Sequence, residues 1–204
     1  MEDDTIYGLT YLVGWCIIAV TGGVIMGALQ EFEKEKLIIG VIYHDTAVYA
    51  KAIARLCEVF GPIDLESERF SFSREFSSYY DEELGGEGDR VILSFRDTVD
   101  ASRQAEIKTF TNALEAEFTR DGGRLINLDP GFMNHGRLML ATTKPTGFSI
   151  PLSVGIYTEL TLFWARGEWQ KFPWTYRDYQ SARVQKFLTE VRKIYLKQRK
   201  EKQA

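Results

Sequence analysis

The sequence is poor in the residues that build metal sites and disulfide frameworks. It contains two cysteines, Cys16 and Cys57, and two histidines among 204 residues. The cysteines form no spaced pair of the zinc or redox type, which favours a reduced intracellular domain over a disulfide scaffold. His135 and Asp129 could supply two metal ligands, but two ligands do not make a site. We therefore predict no metal centre.

The common catalytic and nucleotide-binding signatures are also absent. The chain has no Gly-x-x-x-x-Gly-Lys-Ser/Thr phosphate loop, no Gly-x-Gly-x-x-Gly, no Gly-x-Ser-x-Gly and no His-Glu-x-x-His. Its net charge of −4 and pI near 5.4 give no general attraction to nucleic acid. We expect no nucleic-acid partner, and the sequence specifies neither a cofactor nor an oligomeric state.

Formal charge is missing from one long stretch near the N-terminus. Ile6–Leu29 is an uncharged stretch, and about 20 apolar residues suffice to cross a bilayer as a helix. The acidic residues before it argue against a secretory signal. Two interpretations stay open. Residues 1–34 contain a single-pass membrane anchor, or translation starts at Met26 and residues 1–25 are no part of the fold. In both cases we expect a cytoplasmic α+β domain over residues 35–204.

Apolar periodicity predicts a mixed fold. The continuous apolar run Lys36–Tyr43 predicts a buried strand, and Thr46–Phe60 has helical periodicity, with Asp45 as its cap and Gly61 at its end. The next elements are predicted as two strands, a helix and a fourth strand, at Ile63–Phe72, Arg90–Phe95, Ala101–Arg120 and Arg124–Leu128. The order β-α-β-β-α-β predicts a ferredoxin-like core.

A β-rich extension is predicted after the fourth strand. Proline and glycine separate short strands, at Leu138–Thr142, Phe148–Leu152, Gly155–Trp164 and Trp169–Phe172. Ala165–Glu168 is typical of a hairpin turn, and an amphipathic helix is expected from about Arg177. The predicted class is α+β, with a ferredoxin-like βαββαβ core, a C-terminal β-hairpin extension, a terminal helix and an optional N-terminal hydrophobic helix.

Polar side chains gather where two predicted strands end. The fourth strand passes into Asn127–Gly131, where Pro130 fixes φ and Gly131 frees it, so we predict a turn that presents an amide and a carboxylate. Thr142-Thr143-Lys144 ends the next strand with two hydroxyls and an ammonium. An Asx turn and a solvated strand end are the plainer alternatives, and both stay open.

These segments together resemble the DUF4416 family. The resemblance rests on several short motifs in order: Leu37–Tyr43, Phe60–Asp64, Tyr79-Tyr80 with Glu83 and Gly85, Glu106–Lys108 with Thr111-Asn112 and Glu115, Asn127–Gly131, Leu140–Lys144, Gly155–Tyr157 with Glu159, and Pro173–Tyr176. It covers about Lys36 to Tyr195.

The resemblance implies a soluble intracellular domain without an assigned reaction, starting just before the first strand and hence near Met26. Similar proteins are sometimes labelled GTP-binding, which the missing phosphate loop does not support. Where the family would carry a basic residue before Gly155, this chain has Phe148–Leu152.

We predict a pocket around the Asn127–Gly131 turn that binds a small polar or anionic ligand. Its expected ligand-binding residues combine aromatic walls with polar groups: Tyr79, Tyr80, Glu83, Lys108, Asn112, Asn127, Asp129, Thr143, Lys144, Glu159, Trp174 and Tyr176. One alternative is an enzyme acting on a small phosphorylated or carboxylated metabolite, with Asp129 or Glu159 as general base and Lys108 or Lys144 as electrostatic stabiliser. Another is a non-catalytic interaction module held at the membrane through Ile6–Leu29.

Overall fold

The first strand and the first helix follow the local sequence signals. The computed structural model describes residues 31–203. Strand β1 spans Glu35–Tyr43 and helix α1 spans Thr46–Phe60. The Asp45 carboxylate accepts a hydrogen bond from the Ala47 N–H at 2.7 Å and caps the helix. Gly61 follows with φ of 80°, a left-handed value that glycine adopts freely. The predicted helix bounds and both predicted end residues are confirmed.

The rest of the described chain forms strands with helices between them. In chain order the elements are β2 (Ile63–Glu66), β3 (Phe70–Ser71), α2 (Phe72–Glu75), α3 (Asp81–Leu84), β4 (Asp89–Val99), a 3-10 turn (Ala101–Arg103), α4 (Gln104–Glu117), β5 (Thr119–Arg120), β6 (Gly123–Arg124), β7 (Ile126–Met133), β8 (Arg137–Thr142), β9 (Ile150–Ser153), β10 (Ile156–Ala165), β11 (Glu168–Lys171) and α5 (Ala182–Gln203). The α+β class, with a large antiparallel sheet and a C-terminal helix, is confirmed.

Strand β1 lies at the centre of the main sheet. Nine strands form that sheet in the order β11-β10-β8-β7-β1-β4-β2, with β3 added beside β4 and β9 beside β10. Strand β1 pairs antiparallel with β4 on one side and β7 on the other. All nine of its residues are buried. Burial on both faces explains why its sequence is a continuous apolar run.

Alternate residues of β1 belong to two different cores. Leu37 and Ile39 pack with residues of α1 and α4 on one face of the sheet. Ile38 packs on the other face, in a core that includes Leu188 and Val191 of α5. The sheet is therefore covered on both faces, and the strand alternation decides which helix each side chain meets.

The prediction of a turn at Asn127–Gly131 was wrong. Strand β7 runs straight through this segment and pairs with β1 over its whole length, so that Asp129 lies opposite Gly40. Pro130 is tolerated because β8 pairs with β7 only beyond this residue, and the proline therefore interrupts no ladder on that edge. Pairing with the central strand thus overrides the local turn signal.

Gly131 serves a close approach of two strands. A Cβ at this position would lie 2.5 Å from Cδ2 of Leu140 and 2.7 Å from the carbonyl oxygen of Met139, both in β8. The β7–β8 pairing covers only Gly131–Met133 on the β7 side. The two strands therefore separate in the direction of Asp129.

Three further predicted core elements have different bounds. The strand predicted at Arg90–Phe95 extends over Asp89–Val99 as β4. The strand predicted at Ile63–Phe72 is divided, because β2 ends at Glu66 and β3 is limited to Phe70–Ser71. The helix predicted over Ala101–Arg120 begins as a 3-10 turn and ends at Glu117. Residues beyond that point pair in the two-stranded β5–β6 ribbon instead.

The predicted C-terminal elements are present, but some of them start later than predicted. The strand predicted at Phe148–Leu152 is β9, Ile150–Ser153. The hairpin turn is confirmed, with Ala165 paired to Glu168 and positive φ at both intervening residues. The final helix begins at Ala182, later than the predicted Arg177. Ser181 sets this start, because its hydroxyl accepts a hydrogen bond from the Val184 N–H at 3.4 Å.

Residues 1–30 lie outside the described residues, and so does the predicted hydrophobic segment Ile6–Leu29. The choice between translation starts at Met1 and Met26 therefore stays a prediction. Within residues 31–203, no helix combines the length and the apolar character needed to cross a membrane.

Candidate functional site

A cavity lies in the main domain where β7 and β8 separate. It has a volume of about 170 Å³ and is lined by residues of β1, α2, β4, α4, β6, β7 and β8, together with the segments before α3, after β8 and before α5. Apolar walls come from Ile42, Phe72 and Leu140. The remaining lining residues are mostly polar or charged, and convergent polar groups are what fix the orientation of a ligand in a pocket.

Asp129 is the central polar residue of this cavity. Its side chain is 29% exposed although it lies in the middle of β7. Its Oδ2 accepts hydrogen bonds from Nη1 of Arg90 at 3.3 Å and from Nδ2 of Asn127 at 2.8 Å. Its Oδ1 lies 4.0 Å from Nζ of Lys108 and accepts no hydrogen bond from the described part of the chain. One carboxylate oxygen is therefore held by the protein and the other can accept a hydrogen bond from a ligand.

Gly40 allows Arg90 to reach Asp129 across the central strand. Arg90 lies on β4 and Asp129 on β7, with β1 between them. A Cβ on residue 40 would lie 2.5 Å from Nη2 and 2.8 Å from Cζ of Arg90, so the guanidinium occupies the space above the glycine. The same group lies 3.2 Å from Oδ2 of Asp178 and 3.3 Å from the hydroxyl of Tyr179. Arg90 thereby joins the sheet to the segment before α5.

Burial and ion pairing set the protonation of this network. Burial alone would lower the pKa of Arg90, but Asp178, Tyr179 and Asp129 outweigh it and raise that pKa. Burial raises the pKa of Asp178, and Arg90 opposes the rise. The buried Oδ2 of Asp178 accepts no hydrogen bond from the described residues despite its ion contact. Arg90 therefore stays charged, and Asp178 takes up a proton more readily than an exposed aspartate.

Helix α4 satisfies the edge of β7 that β8 leaves unpaired. Nζ of Lys108 donates to the carbonyl oxygen of Leu128 at 2.9 Å, and the Leu128 N–H donates to Oε1 of Glu115 at 2.5 Å. Two side chains on the same face of α4, about two turns apart, thus replace one strand partner. Burial raises the pKa of Glu115, while Lys108, the Leu128 N–H and Arg124 oppose the rise. This substitution lets β8 separate from β7 without leaving buried backbone groups unpaired.

Two cations lie near the cavity entrance and differ in their partners. Arg124 pairs with Glu83 at 2.6 Å and with Glu115 at 2.7 Å, so its charge is compensated. Its guanidinium lies 6.0 Å from the ring centre of Tyr80. Lys144 is exposed, and its Nζ lies 5.0 Å from the ring centre of Tyr79. Lys144 forms no ion pair with any described residue. Lys144 is therefore the cation that a ligand could neutralise.

Glu159 binds the loop between β8 and β9 and does not line the cavity. It accepts hydrogen bonds from Thr146 Oγ1 at 2.9 Å, Ser149 Oγ at 2.7 Å and the Tyr176 hydroxyl at 3.2 Å. Burial, followed by the nearby Glu159 charge, raises the pKa of Tyr176. Three hydroxyl donors occupy this carboxylate, so the geometry does not favour it as a general base.

The structure brings together part of the predicted site. Seven predicted residues line the cavity: Tyr80, Lys108, Asn127, Asp129, Thr143, Lys144 and Tyr176. Tyr79 and Glu83 lie next to it, through their contacts with Lys144 and Arg124. Trp174 does not wall the cavity, because it stacks between Phe148 and Phe172, with ring centres 4.2 and 4.9 Å away. Asn112 is half-buried on α4 and does not line the cavity either.

Sequence reasoning missed five charged or aromatic lining residues, namely Phe72, Arg90, Arg124, Asp178 and Tyr179. Arg90 and Arg124 were assigned only as the first residues of strands. A charged residue that begins a buried strand was the available signal, since such a charge requires a partner. Asp178 and Tyr179 follow shortly after the Pro173–Tyr176 motif, but nothing in the sequence indicated a contact with Asp129.

Within residues 31–203, no three histidine, cysteine, aspartate or glutamate side chains are grouped as metal ligands.

Comparison with known proteins identifies a family and no individual relative. Residues 33–195 match the family described as a domain of unknown function, DUF4416. No curated protein and no solved structure matches the chain.

Proposed function

We propose that this chain, which belongs to the DUF4416 family, binds a small polar or anionic molecule in the cavity between β7 and β8. The observation that carries the proposal is Asp129. Its carboxylate is oriented by Arg90 and Asn127, yet Oδ1 remains available beside an open volume. A carboxylate that served only to neutralise Arg90 would not need that volume.

The surroundings of Asp129 support binding over simple core packing. The cavity combines Tyr80, Tyr176 and Phe72 with the hydroxyls of Thr142 and Thr143 at its edge. Aromatic faces provide apolar contact, and convergent polar groups fix orientation. The separation of β7 and β8 also has a structural cost, because α4 must supply two ionisable side chains to Leu128.

Ligand retention by the purified full-length protein tests the proposal. Native mass spectrometry should detect a small molecule that is lost in Asp129→Ala and Lys144→Ala, and a thermal-shift metabolite screen should identify ligands with the same dependence. Lys51→Ala is the matched control, because Lys51 is exposed on α1 and does not line the cavity. If both cavity variants keep the stability and every metabolite response of the parent protein, the proposal fails.

A second candidate is catalysis on a small phosphorylated or carboxylated metabolite. It is favoured by the convergence of Asp129 and Lys108, whose Oδ1 and Nζ atoms lie 4.0 Å apart and face one cavity. In this role Asp129 would act as general base and Lys108 as electrostatic stabiliser. Time-resolved mass spectrometry of metabolite mixtures should then show turnover that Asp129→Asn abolishes while binding persists. Binding without turnover of any metabolite would leave the binding function alone.

We interpret the strand order β7-β1-β4-β2, with antiparallel neighbours and α1 and α4 packed on one face, as a ferredoxin-like βαββαβ core. The membrane-anchored module remains a proposal based on Ile6–Leu29 alone. Localisation of the full-length product and sequencing of its N-terminus would decide it, since a soluble product starting at Met26 excludes the anchor.

A further inference from the structure

We infer that the ligand of this cavity is a small hydroxylated anion, with a neutral hydroxyl inside against Asp129 and a phosphate or carboxylate at the entrance beside Lys144. The inference rests on the proposed binding function and specifies the chemistry and orientation of the bound molecule. It follows from the distribution of charge between the interior and the entrance of the cavity.

The interior of the cavity is balanced in charge. Apart from Arg124 and Lys144 at the entrance, the charged lining residues are two cations, Arg90 and Lys108, and two carboxylates, Asp129 and Asp178. All four lie in one network of contacts between 3.2 and 4.0 Å. A ligand charge of either sign would lose its hydration there and meet no net opposite charge. The part of the ligand that enters is therefore neutral.

The interior offers a hydrogen-bond acceptor. Oδ1 of Asp129 accepts no hydrogen bond from the described residues, whereas Nδ2 of Asn127 is already committed to Oδ2. A matching ligand group must donate a hydrogen. A protonated amine would donate, but it would lie beside the Arg90 and Lys108 cations that already contact the same carboxylate. A hydroxyl group donates without adding a positive charge.

The entrance offers the uncompensated cation. Thr143 and Lys144 are exposed there, and Lys144 has no carboxylate within 4.0 Å among residues 31–203. The backbone N–H of Lys144 donates to Oγ1 of Thr142 at 3.1 Å, which fixes the start of this loop. Arg124 is unsuited to the same task because Glu83 and Glu115 already neutralise it. An anionic group is therefore best stabilised beside Lys144.

Isothermal titration calorimetry with matched small molecules tests this orientation. Glycerol phosphate and glycerate carry both hydroxyl groups and an anionic group. Phosphoethanolamine carries a cationic amine in place of the hydroxyl groups. Inorganic phosphate supplies an anionic group alone, and glycerol supplies hydroxyl groups alone. We expect one hydroxylated anion to bind at least about tenfold more tightly than phosphoethanolamine, phosphate or glycerol. Which of the two hydroxylated anions binds identifies the anionic group as phosphate or carboxylate.

Variants assign the two ends of the ligand. Lys144→Met should lower the affinity for the hydroxylated anion about tenfold and reduce the salt dependence of its binding. Lys51→Met should change neither the affinity nor the salt dependence. Asp129→Asn should remove the preference for hydroxylated anions over inorganic phosphate. This variant replaces the carboxylate that accepts the hydroxyl hydrogen but leaves the Lys144 cation in place. Circular dichroism should show that each variant is folded before its affinity is compared.

Three outcomes would overturn the inference: equal or tighter binding of phosphoethanolamine, Lys144→Met without effect, or no binding of either hydroxylated anion. The proposed binding function survives any of these if native mass spectrometry still detects an Asp129-dependent ligand of other chemistry. Both fail only if no molecule is retained and no metabolite responds to Asp129→Ala. Failure of the orientation is thus distinguishable from failure of binding.

Discussion

At the scale of single residues, glycine at position 40 is what connects the two halves of the cavity network. Its missing side chain leaves room for the Arg90 guanidinium between β4 and β7. Along this route the buried Arg90, 2% exposed, reaches both Asp129 and Asp178. The orientation of the Asp129 carboxylate by Arg90 therefore depends on Gly40, which has no side chain of its own.

Gly40→Ala should destabilise the protein and weaken ligand retention. The new methyl group would lie 2.5 Å from Nη2 of Arg90 and would displace the guanidinium from Asp129. We expect a loss of about 1–3 kcal/mol in the free energy of unfolding, measured by urea denaturation. Gly147→Ala is the matched control, because a Cβ there meets nothing within 4 Å. Equal stability of the two variants would show that Arg90 does not depend on this glycine.

Asp178 should give stability a specific pH dependence. Its folded pKa is raised by burial, so the folded state binds the proton more tightly than the unfolded state. The contribution of this carboxyl to stability is therefore highest at low pH. It falls as pH rises from the ordinary aspartate pKa of about 4 toward the raised value. The unfolding free energy of the parent protein minus that of Asp178→Asn should fall over this window. A difference that rises with pH would contradict this sign.

At the scale of elements, α4 acts as a partner for the open edge of β7. Lys108 and Glu115 bind the carbonyl oxygen and the N–H of Leu128, respectively. Because these bonds replace a strand partner, the sheet can divide between β7 and β8 while remaining continuous at Gly131–Met133. The cavity is consequently a property of how one helix meets one strand edge.

Glu115→Ala should loosen this edge selectively. The Leu128 N–H would lose the Glu115 oxygen that accepts its hydrogen bond, and an unsatisfied buried donor costs about 1–3 kcal/mol. Hydrogen exchange followed by NMR should show faster exchange at Leu128. Exchange at Ile42, on the far strand of the β1–β7 pair, should accelerate only as far as global stability falls. Glu115→Gln keeps an acceptor and should preserve most of the protection. Equal acceleration in both variants would mean that the carboxylate does not satisfy this N–H.

Local sequence signals predicted some elements correctly and predicted the wrong structure for others. Helix α1 was predictable because Asp45 and Gly61 define both ends by local hydrogen bonding and backbone freedom. The Asn127–Gly131 segment was not, because its proline and glycine describe a turn that pairing with β1 overrides. The same limit applies to the site. The sequence indicated Asp129 as a polar group at an unusual position, but its contact with Arg90 crosses a third strand.

At the scale of the whole molecule, β1 is shared by both cores. Leu37 and Ile39 pack with α1 and α4, while Ile38 packs with the α5 side. Neither core can lose its packing without removing neighbours from the same strand. We therefore expect the two faces of the sheet to unfold together, as small domains commonly do.

Reciprocal core variants test this coupling. Leu188→Ala, in the α5 core, and Leu56→Ala, in the α1 core, should each cost about 2–5 kcal/mol because both side chains are fully buried. In a background with Trp15→Phe and Trp174→Phe, tryptophan fluorescence reports the α5 side through Trp164 and Trp169. Labelling of the Cys57 thiol in a Cys16→Ser background reports α1. Each variant should lower the urea midpoint by the same amount with both probes, because β1 couples the faces. If Leu188→Ala lowered only the fluorescence midpoint and left the Cys57 midpoint unchanged, the two faces would unfold independently, and the cavity between β7 and β8 could open while α1 remained folded.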